Sequence, residues 1–221
     1  MPNAVALLVA AGRGERLGHV QPKALVPCAG RPLLAWSLAA LQAADGISHV
    51  VAALPAGVAA PAGVIGVPGG AERSHSVRAA LRAAPPSDWV LVHDAARPML
   101  TPAIVKACLD ALTEHDCEAA IAAAPVADTI KEGAGAIVAR TLDRTHLWAI
   151  QTPQAFRRDA LERVLDLGDA ALAAATDDAG LIELSGGTVR LVPTSRQNFK
   201  VTTAEDLHLA ELILRDRGAS A

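Results

Sequence analysis

The chain begins with an apolar segment, residues 4–10, that carries no charged side chain and is followed by a glycine-rich loop. Short apolar runs of this kind are typical of buried strands in a parallel sheet. Similar runs along the chain, ended by proline or glycine, predict further strands. They lie at residues 49–54, 63–67, 89–93, 119–124 and 188–193, with a last short strand at 198–201.

Stretches with apolar residues three or four positions apart alternate with these strands and predict helices. Leu34, Leu38 and Leu41 have this spacing, and Thr101 followed by Pro102 is typical of a helix start. The predicted helices cover residues 32–44, 73–84, 102–115, 157–167, 177–184 and 204–217. Strands alternating with helices predict an α/β fold, with a Rossmann-like, mostly parallel sheet flanked by helices.

Two details of the second half are also predicted from local residue types. Residues 151–156 are expected to form a loop, because they contain two glutamines, a threonine and a proline. Thr176 is expected to be the N-cap of the helix that follows it.

The segment 128–142 departs from the pattern, since its apolar residues are sparse and Gly133 and Gly135 lie among them. This favours a β-hairpin or arm projecting from the main body. The arm, at about 126–146, is too poor in apolar residues to be buried alone and is expected to lean on a partner. We therefore expect one domain over residues 1–221 with a projecting arm that contacts a partner.

Composition narrows the class of protein. The chain has 221 residues, of which 52% are hydrophobic and 2% aromatic, so its core is expected to be aliphatic. A net charge of −3 gives no support for nucleic-acid binding. No apolar run approaches the roughly 20 residues of a membrane span, so no membrane association is expected. Cys28, Cys108 and Cys117 are odd in number and form no CxxC motif, which favours reduced thiols and a cytoplasmic protein.

The loop after the first strand combines glycines with positive charge. Gly12 and Gly14 allow close approach of a ligand to the backbone, and Arg13, Arg16 and Lys23 follow within the same loop. A buried strand that opens into such a loop is a common way to hold phosphates. The alternative is a surface turn with solvated charges.

Neither common phosphate-binding motif fits this loop. Leu17 stands where the dinucleotide fingerprint needs its third glycine, and the Gly-Lys-Ser/Thr of a Walker loop is absent. Asp94 follows the fourth predicted strand, at the edge where α/β sheets place ligands. It is interpreted either as a Mg²⁺ ligand or as a helix-capping or loop aspartate.

The loop sequence Ala-Ala-Gly-Arg-Gly-Glu-Arg-Leu-Gly with Pro-Lys resembles the signature of nucleotidyltransferases that make nucleotide-diphospho sugars and alditols. Later motifs narrow the resemblance to the 2-C-methyl-D-erythritol 4-phosphate cytidylyltransferase family of non-mevalonate isoprenoid biosynthesis. In chain order they are Gly-Gly-Ala-Glu-Arg-Ser, Val-His-Asp-Ala-Ala-Arg-Pro, Asp-Thr-Ile-Lys, Leu-Asp-Arg, Gln-Thr-Pro-Gln-Ala-Phe, Thr-Asp-Asp-Ala and Asn-Phe-Lys-Val-Thr. The resemblance covers residues 4–215.

The resemblance implies the nucleotide-diphospho-sugar transferase fold and a reaction of CTP with methylerythritol phosphate that gives a CDP-alditol and pyrophosphate. It implies that Arg16, Lys23 and Lys200 are catalytic cations and that Asp94 binds Mg²⁺ or another divalent cation. The implied nucleotide-binding residues are Ala10, Ala11, Gly12, Gly14, Gly70 and Ser76. The implied alditol-phosphate ligands are Arg97, Thr129, Arg144 and Thr152.

The resemblance also implies a homodimer joined through the arm. Ala71 stands where some members have a ribose-binding aspartate, so that contact is expected from the backbone. Two other functions stay open at this point. One is a ribitol-5-phosphate cytidylyltransferase, which shares the fold and the loop chemistry, and the other is a nucleotide-binding dimer without catalysis.

Overall fold

A computed structural model describes residues 3–12, 14–18 and 21–219, so Arg13 lies outside the described residues. The described part contains eleven β-strands. In chain order they are β1 (Ala4–Val9), β2 (Pro27–Cys28), β3 (Arg31–Pro32), β4 (Ile47–Leu54), β5 (Ile65–Pro68), β6 (Trp89–Asp94), β7 (Ala119–Pro125), β8 (Lys131–Ala134), β9 (Ile137–Thr141), β10 (Trp148–Arg157) and β11 (Val189–Pro193).

The same residues form seven α-helices and three short 3₁₀ helices. The α-helices are α1 (Leu33–Gln42), α2 (Arg73–Ala83), α3 (Pro102–Glu114), α4 (Arg158–Leu165), α5 (Asp169–Ala174), α6 (Asp178–Leu184) and α7 (Ala204–Ala219). The 3₁₀ helices are Glu15–Leu17, Lys23–Leu25 and Arg144–His146. Thr101 caps α3 as predicted, because its side chain accepts a hydrogen bond from the Ile104 N–H.

Seven strands form the central sheet, in the order β11-β7-β10-β6-β1-β4-β5. Every neighbouring pair is parallel except those of β10, which runs antiparallel to β6 and to β7. The predicted α/β class with a mostly parallel sheet is confirmed. The chain goes from β1 outward to β4 and β5 and then returns to β6 on the other side of β1. This reversal makes the carboxyl ends of β1 and β6 a topological switch point, where α/β sheets bind ligands.

The sheet is covered on both faces, and the side-chain alternation along β1 divides the core. Ala4, Ala6 and Leu8 pack with α1 and α3 on one face. Val5 and Leu7 pack with α2, α4 and α6 on the other face. Both layers are largely Ala, Val and Leu, as the low aromatic content predicts.

The loop predicted at residues 151–156 is wrong, because these residues lie within β10. Their polar side chains suggested a loop, but Gln151, Thr152 and Gln154 are buried and hydrogen-bonded. Gln151, for example, accepts from Thr194 Oγ1 at 2.9 Å. Buried polar groups that find partners are compatible with a central strand.

Smaller corrections concern the last third of the chain. Residues 198–201 form no strand, and α5 was not predicted. The N-cap of α6 is Asp177 and not Thr176, since Asp177 Oδ1 accepts the Gly180 N–H at 2.9 Å.

The segment predicted as a hairpin contains the antiparallel pair β8–β9, which forms its own two-stranded sheet. All residues of β8 and β9 are exposed, including Ile137 and Val138 at 75% and 57%. Among the described helices, none is both long and apolar enough to cross a membrane.

Candidate functional site

A cavity of about 830 Å³ opens at the carboxyl ends of β1 and β6, at the switch point of the sheet. Its walls come from the loop after β1, the loop between β5 and α2, the end of β6, and the segment before α7. The predicted site residues that line it are Ala10, Ala11, Gly12, Gly14, Arg16, Lys23, Gly70, Ser76, Asp94 and Lys200. The structure therefore brings together residues that lie as much as 190 positions apart in the sequence.

The loop after β1 is folded back so that Lys23 packs against Gly14. Gly14 has φ +72°, and a Cβ atom there would lie 2.7 Å from the Lys23 Cβ. Gly14 is therefore required both for its backbone conformation and for the close approach of Lys23. Leu17, which breaks the dinucleotide motif, is buried in a small core with Leu33 and Met99. That core anchors the loop through Leu17.

The opposite wall is formed by the Gly69-Gly70 turn before α2. A Cβ atom on Gly69 would overlap the Ala11 side chain, so the two loops touch directly. Ser76 is buried in α2, and its hydroxyl accepts the Gly70 N–H at 3.0 Å while donating to the Glu72 carbonyl at 3.3 Å. The Ser76 hydroxyl thus holds the shape of the wall. Ala71 lines the cavity beside this turn.

Asp94 lies at the inner end of the cavity, and both of its carboxylate oxygens are ion-paired. Oδ1 is 3.0 Å from Arg73 Nε, and Oδ2 is 2.8 Å from Lys200 Nζ. Burial alone would raise the pKa of Asp94, but the adjacent Arg73 and Lys200 charges outweigh it and hold the pKa well below its usual range. Asp94 is therefore a carboxylate at any physiological pH.

Arg73 is a site residue that the sequence reasoning missed. Its Nη1 lies 2.6 Å from Asp178 Oδ2, and the Asp178 side chain is 1% exposed. Burial would lower the pKa of Arg73, but the Asp178 and Asp94 charges raise it instead. The sequence did offer one indication of Arg73. It lies at the start of a predicted helix, three residues after the Gly69-Gly70 pair that borders the predicted phosphate site.

Lys23 contrasts with Arg73, because burial and like charges outweigh the nearby carboxylates of Asp94 and Asp206. Its pKa is lowered to about 8 by burial and by the neighbouring charges of Lys200 and Arg16. A cluster of cations whose repulsion is relieved by an anion is a ready site for polyphosphate.

Four predicted alditol-phosphate ligands lie outside the cavity walls. Thr129 and Arg144 are exposed on the arm segment, where Arg144 Nη1 donates to the Ala127 carbonyl. Arg97 donates to the backbone carbonyls of Asn198 at 2.8 Å and Ile150 at 3.3 Å.

The fourth, Thr152, is buried behind Asp94. Its hydroxyl accepts the Asp94 N–H at 3.0 Å and lies 3.0 Å from His93 Nδ1. Burial lowers the pKa of His93 to about 4, so the ring is neutral and its Nδ1 can accept the threonine proton. Thr152 and His93 thus fix the backbone that carries Asp94.

The single carboxylate at the cavity suits a magnesium ion whose other ligands are phosphate and water oxygens. In the described ranges, no group of three or more His, Cys, Asp or Glu side chains is placed to hold a metal ion. Asp94 supplies one carboxylate at the cavity. Mg²⁺ commonly uses one or two carboxylates and completes its shell with substrate phosphates and water. Asp94 therefore fits such an ion if Lys200 gives way at Oδ2.

Comparisons with known proteins agree with this geometry. Residues 4–216 match the family model described as 2-C-methyl-D-erythritol 4-phosphate cytidylyltransferase. The curated enzyme of that name from Deinococcus radiodurans is 48% identical over 96% of this chain and 90% of its own length. The one from Frankia casuarinae is 46% identical over 96% of this chain and 82% of its own length.

A solved structure gives the same result. The crystal structure of the Thermus thermophilus enzyme of the same name matches with a TM-score of 0.82 and 34% identity. The match covers 97% of this chain and 100% of that one. The chain therefore belongs to the 2-C-methyl-D-erythritol 4-phosphate cytidylyltransferase family.

Proposed function

We propose that the protein transfers the cytidylyl group of CTP to 2-C-methyl-D-erythritol 4-phosphate and releases pyrophosphate, as a step of isoprenoid biosynthesis. The observation that carries the proposal is the cavity, whose lining combines the glycine-rich loop with Arg16, Lys23 and Lys200. Membership of the family supplies the identity of the two substrates.

The reaction joins two anions and needs no general base. A phosphate oxygen of the alditol phosphate, already ionised at neutral pH, forms a bond to the α-phosphorus of CTP. The bond from that phosphorus to the bridging oxygen breaks, and its electron pair leaves with pyrophosphate. Catalysis then depends on positioning and on positive charge where negative charge develops. Lys23, Arg16 and Lys200 are placed to supply that charge.

Mg²⁺ or another divalent cation is proposed as cofactor, with Asp94 as its protein ligand. When bound, it would neutralise charge on the phosphate oxygens of CTP. Support comes from the carboxylate at the cavity and from the chemistry of the donor set.

The alditol phosphate is proposed to bind between the cavity and the arm, with Thr129, Arg144 and Arg97 around it and the buried Thr152 behind Asp94. Ala10, Ala11 and Gly12 are proposed to contact the cytosine through their backbone, since small side chains leave the main chain accessible. The three buried free cysteines fit a reducing compartment, and we propose a cytoplasmic location.

The first test is pyrophosphate release from CTP and Mg²⁺, comparing methylerythritol phosphate with ribitol 5-phosphate as acceptor. Release with methylerythritol phosphate is expected. Release with ribitol phosphate alone would replace the proposal by the ribitol enzyme. Binding of CTP without release for either acceptor would favour the non-catalytic dimer.

The arm is proposed to join two copies of the chain, so that each site borrows residues from its neighbour. The exposed Ile137 and Val138 on β9 support this, because successive strand residues point to opposite faces and the two-stranded sheet therefore leaves apolar side chains uncovered on both faces. Sedimentation is expected to show a dimer for the wild type and a monomer for the Ile137→Ser/Val138→Ser variant. Leu184→Ser is the matched control, since Leu184 is 77% exposed on α6. A fully active monomer would contradict shared sites.

The lowered pKa of Lys23 predicts an alkaline limb in the pH profile. Lys23 carries its charge below its pKa of about 8 and loses it above. Because kcat/KM reports the free enzyme, kcat/KM for CTP is expected to fall as pH rises through about 8. Lys23→Arg should shift this limb to higher pH, since arginine stays charged there. A limb at the same pH in Lys23→Arg would assign it to another group.

A further inference from the structure

Four side chains of alternating charge run from the interior into the cavity: Asp178, Arg73, Asp94 and Lys200. We call them the charge chain. Its ion-pair distances are 2.6 Å, 3.0 Å and 2.8 Å in that order. The side chains of its inner members are buried or mostly so, Asp178 at 1%, Arg73 at 26% and Asp94 at 8% exposed, whereas Lys200 is 40% exposed. The charge chain is thus buried at its Asp178 end and accessible to solvent at its Lys200 end.

The anchor is built into the fold. Asp178 is the first residue of α6, and the N-cap before it, Asp177, accepts a hydrogen bond from Gln154 of β10 at 2.7 Å. The second carboxylate oxygen of Asp178 has no hydrogen-bond partner among the described residues. Arg73 is therefore the partner that compensates this buried charge, and Asp178 in turn fixes the guanidinium.

We propose that Arg73 is a positioning residue for the cytidylyl transfer. It holds Asp94 Oδ1 at a fixed place, so that Oδ2 points to the cavity and contacts Lys200 or an incoming cation. A guanidinium suits this position, because its Nε and Nη1 reach two carboxylates at once in a planar fork. The proposal rests on the proposed function, since Asp94 and Lys200 take their roles from it.

The geometry separates this role from direct substrate binding. Two nitrogens of Arg73 donate to carboxylates of the protein itself, those of Asp94 and Asp178. Arg16 and Lys23, by contrast, have no carboxylate as close in the described part of the chain. Loss of Arg73 should consequently disturb the orientation of Asp94 more than the affinity for the triphosphate.

The test compares Arg73→Gln, Arg73→Lys and Asp94→Asn, with Arg78→Gln as control. Arg78 lies on the same helix and pairs with the exposed Asp169, and it does not line the cavity. Arg73→Gln is expected to lower kcat about 100-fold, a loss that misplacing a reacting group by about 1 Å can cause. Arg73→Lys should recover part of that loss, and Arg78→Gln should leave kcat unchanged.

A double-mutant cycle decides whether Arg73 acts through Asp94. If it does, adding Arg73→Gln to Asp94→Asn lowers kcat by less than about threefold more, because the two changes remove one shared interaction. Losses that multiply in full would overturn the proposal. So would an equal loss of metal-free CTP affinity in Arg73→Gln, which would make Arg73 a phosphate ligand.

Two further measurements keep the test decisive. Urea unfolding reports whether Arg73→Gln folds. If Arg73→Gln does not fold, Asp178→Asn replaces it, because this variant retains the guanidinium but weakens its anchor. Asp178→Asn should also lower kcat, whereas Leu184→Ser should not.

Calorimetry of CTP with and without Mg²⁺ is independent of turnover. The gain in CTP affinity from Mg²⁺ is expected to fall in Arg73→Gln and in Asp94→Asn alike. An unchanged gain in Arg73→Gln would overturn the positioning role, even if the wild type showed no turnover and the proposed function failed.

Discussion

Replacing Lys23 by alanine is expected to lower kcat about 100- to 1,000-fold, the range found when one charge-stabilising donor is removed. Its effect on CTP affinity should be much smaller. Lys23 is surrounded by Lys200 and Arg16, and its ammonium gains most when additional negative charge develops on the phosphates. An interaction that strengthens in the transition state contributes to kcat more than to ground-state binding. Steady-state kinetics and CTP calorimetry on the same samples measure the two effects.

Lys106→Ala is the control, because Lys106 is an exposed lysine on α3 that pairs with Asp110. Loss of CTP affinity with unchanged turnover in Lys23→Ala would assign Lys23 to substrate binding alone.

The stability of the Lys23→Met variant tests the lowered pKa of Lys23. Between pH 8 and pH 10.5 the unfolded chain binds more protons at Lys23 than the folded one. The free energy of unfolding of the wild type should therefore rise with pH in this window relative to Lys23→Met.

Gly69→Ala is expected to weaken CTP binding about tenfold or more and to lower the free energy of unfolding by about 1–3 kcal/mol, as overpacking usually does. The added methyl would overlap the Ala11 side chain, so the two walls of the cavity must move apart. Neither wall can give way cheaply, because Ala10 N–H is bonded to the Ala53 carbonyl and Gly69 N–H to the Leu54 carbonyl. Calorimetry of CTP and urea unfolding measure the two effects.

The companion variant Ala11→Gly/Gly69→Ala removes the Ala11 methyl that the new Cβ would overlap, and it should restore much of the CTP affinity. Gly133→Ala is the control, since a Cβ atom there meets only ordinary contacts at 3.6 Å or more. If Gly69→Ala bound CTP as tightly as the wild type, the direct contact of the two loops would not define the nucleotide pocket.

The order of strands and helices could be predicted from periodicity because parallel strands buried on both faces are apolar throughout. β1, β6 and β7 are examples, and their predicted bounds differ from the observed ones by one residue. β10 could not be predicted in this way. It is a central strand made of buried polar side chains, and their partners, such as Thr194 and Asn198, are distant in sequence. Local pattern carries no information about such partners.

The residues of the candidate site likewise fall into those that local sequence indicates and those that only the tertiary fold brings in. Gly14 and Lys23 could be proposed from residue type, because glycines and cations after a buried strand favour phosphate binding. Asp94 stayed open between a metal ligand and a loop aspartate until the family resemblance favoured the metal. Arg73 could not be selected from the sequence, since an arginine near a glycine turn is normally interpreted as a surface charge. Its role becomes visible only when the fold places Asp178 next to it. The interior pairing of two side chains 105 positions apart is a property of the tertiary fold.

The antiparallel course of β10 decides how freely the segment between β7 and β10 can vary. β7 and β10 are sheet neighbours, and Trp148 pairs with Pro125 where the arm begins and ends. The base of the arm is closed by backbone bonds from Val126 to Leu147 and from Leu142 to Ile130, which do not depend on side-chain identity. The arm is thus an insertion between two paired strands. Its sequence and length can change while the central sheet and the cavity at its carboxyl edge keep their structure.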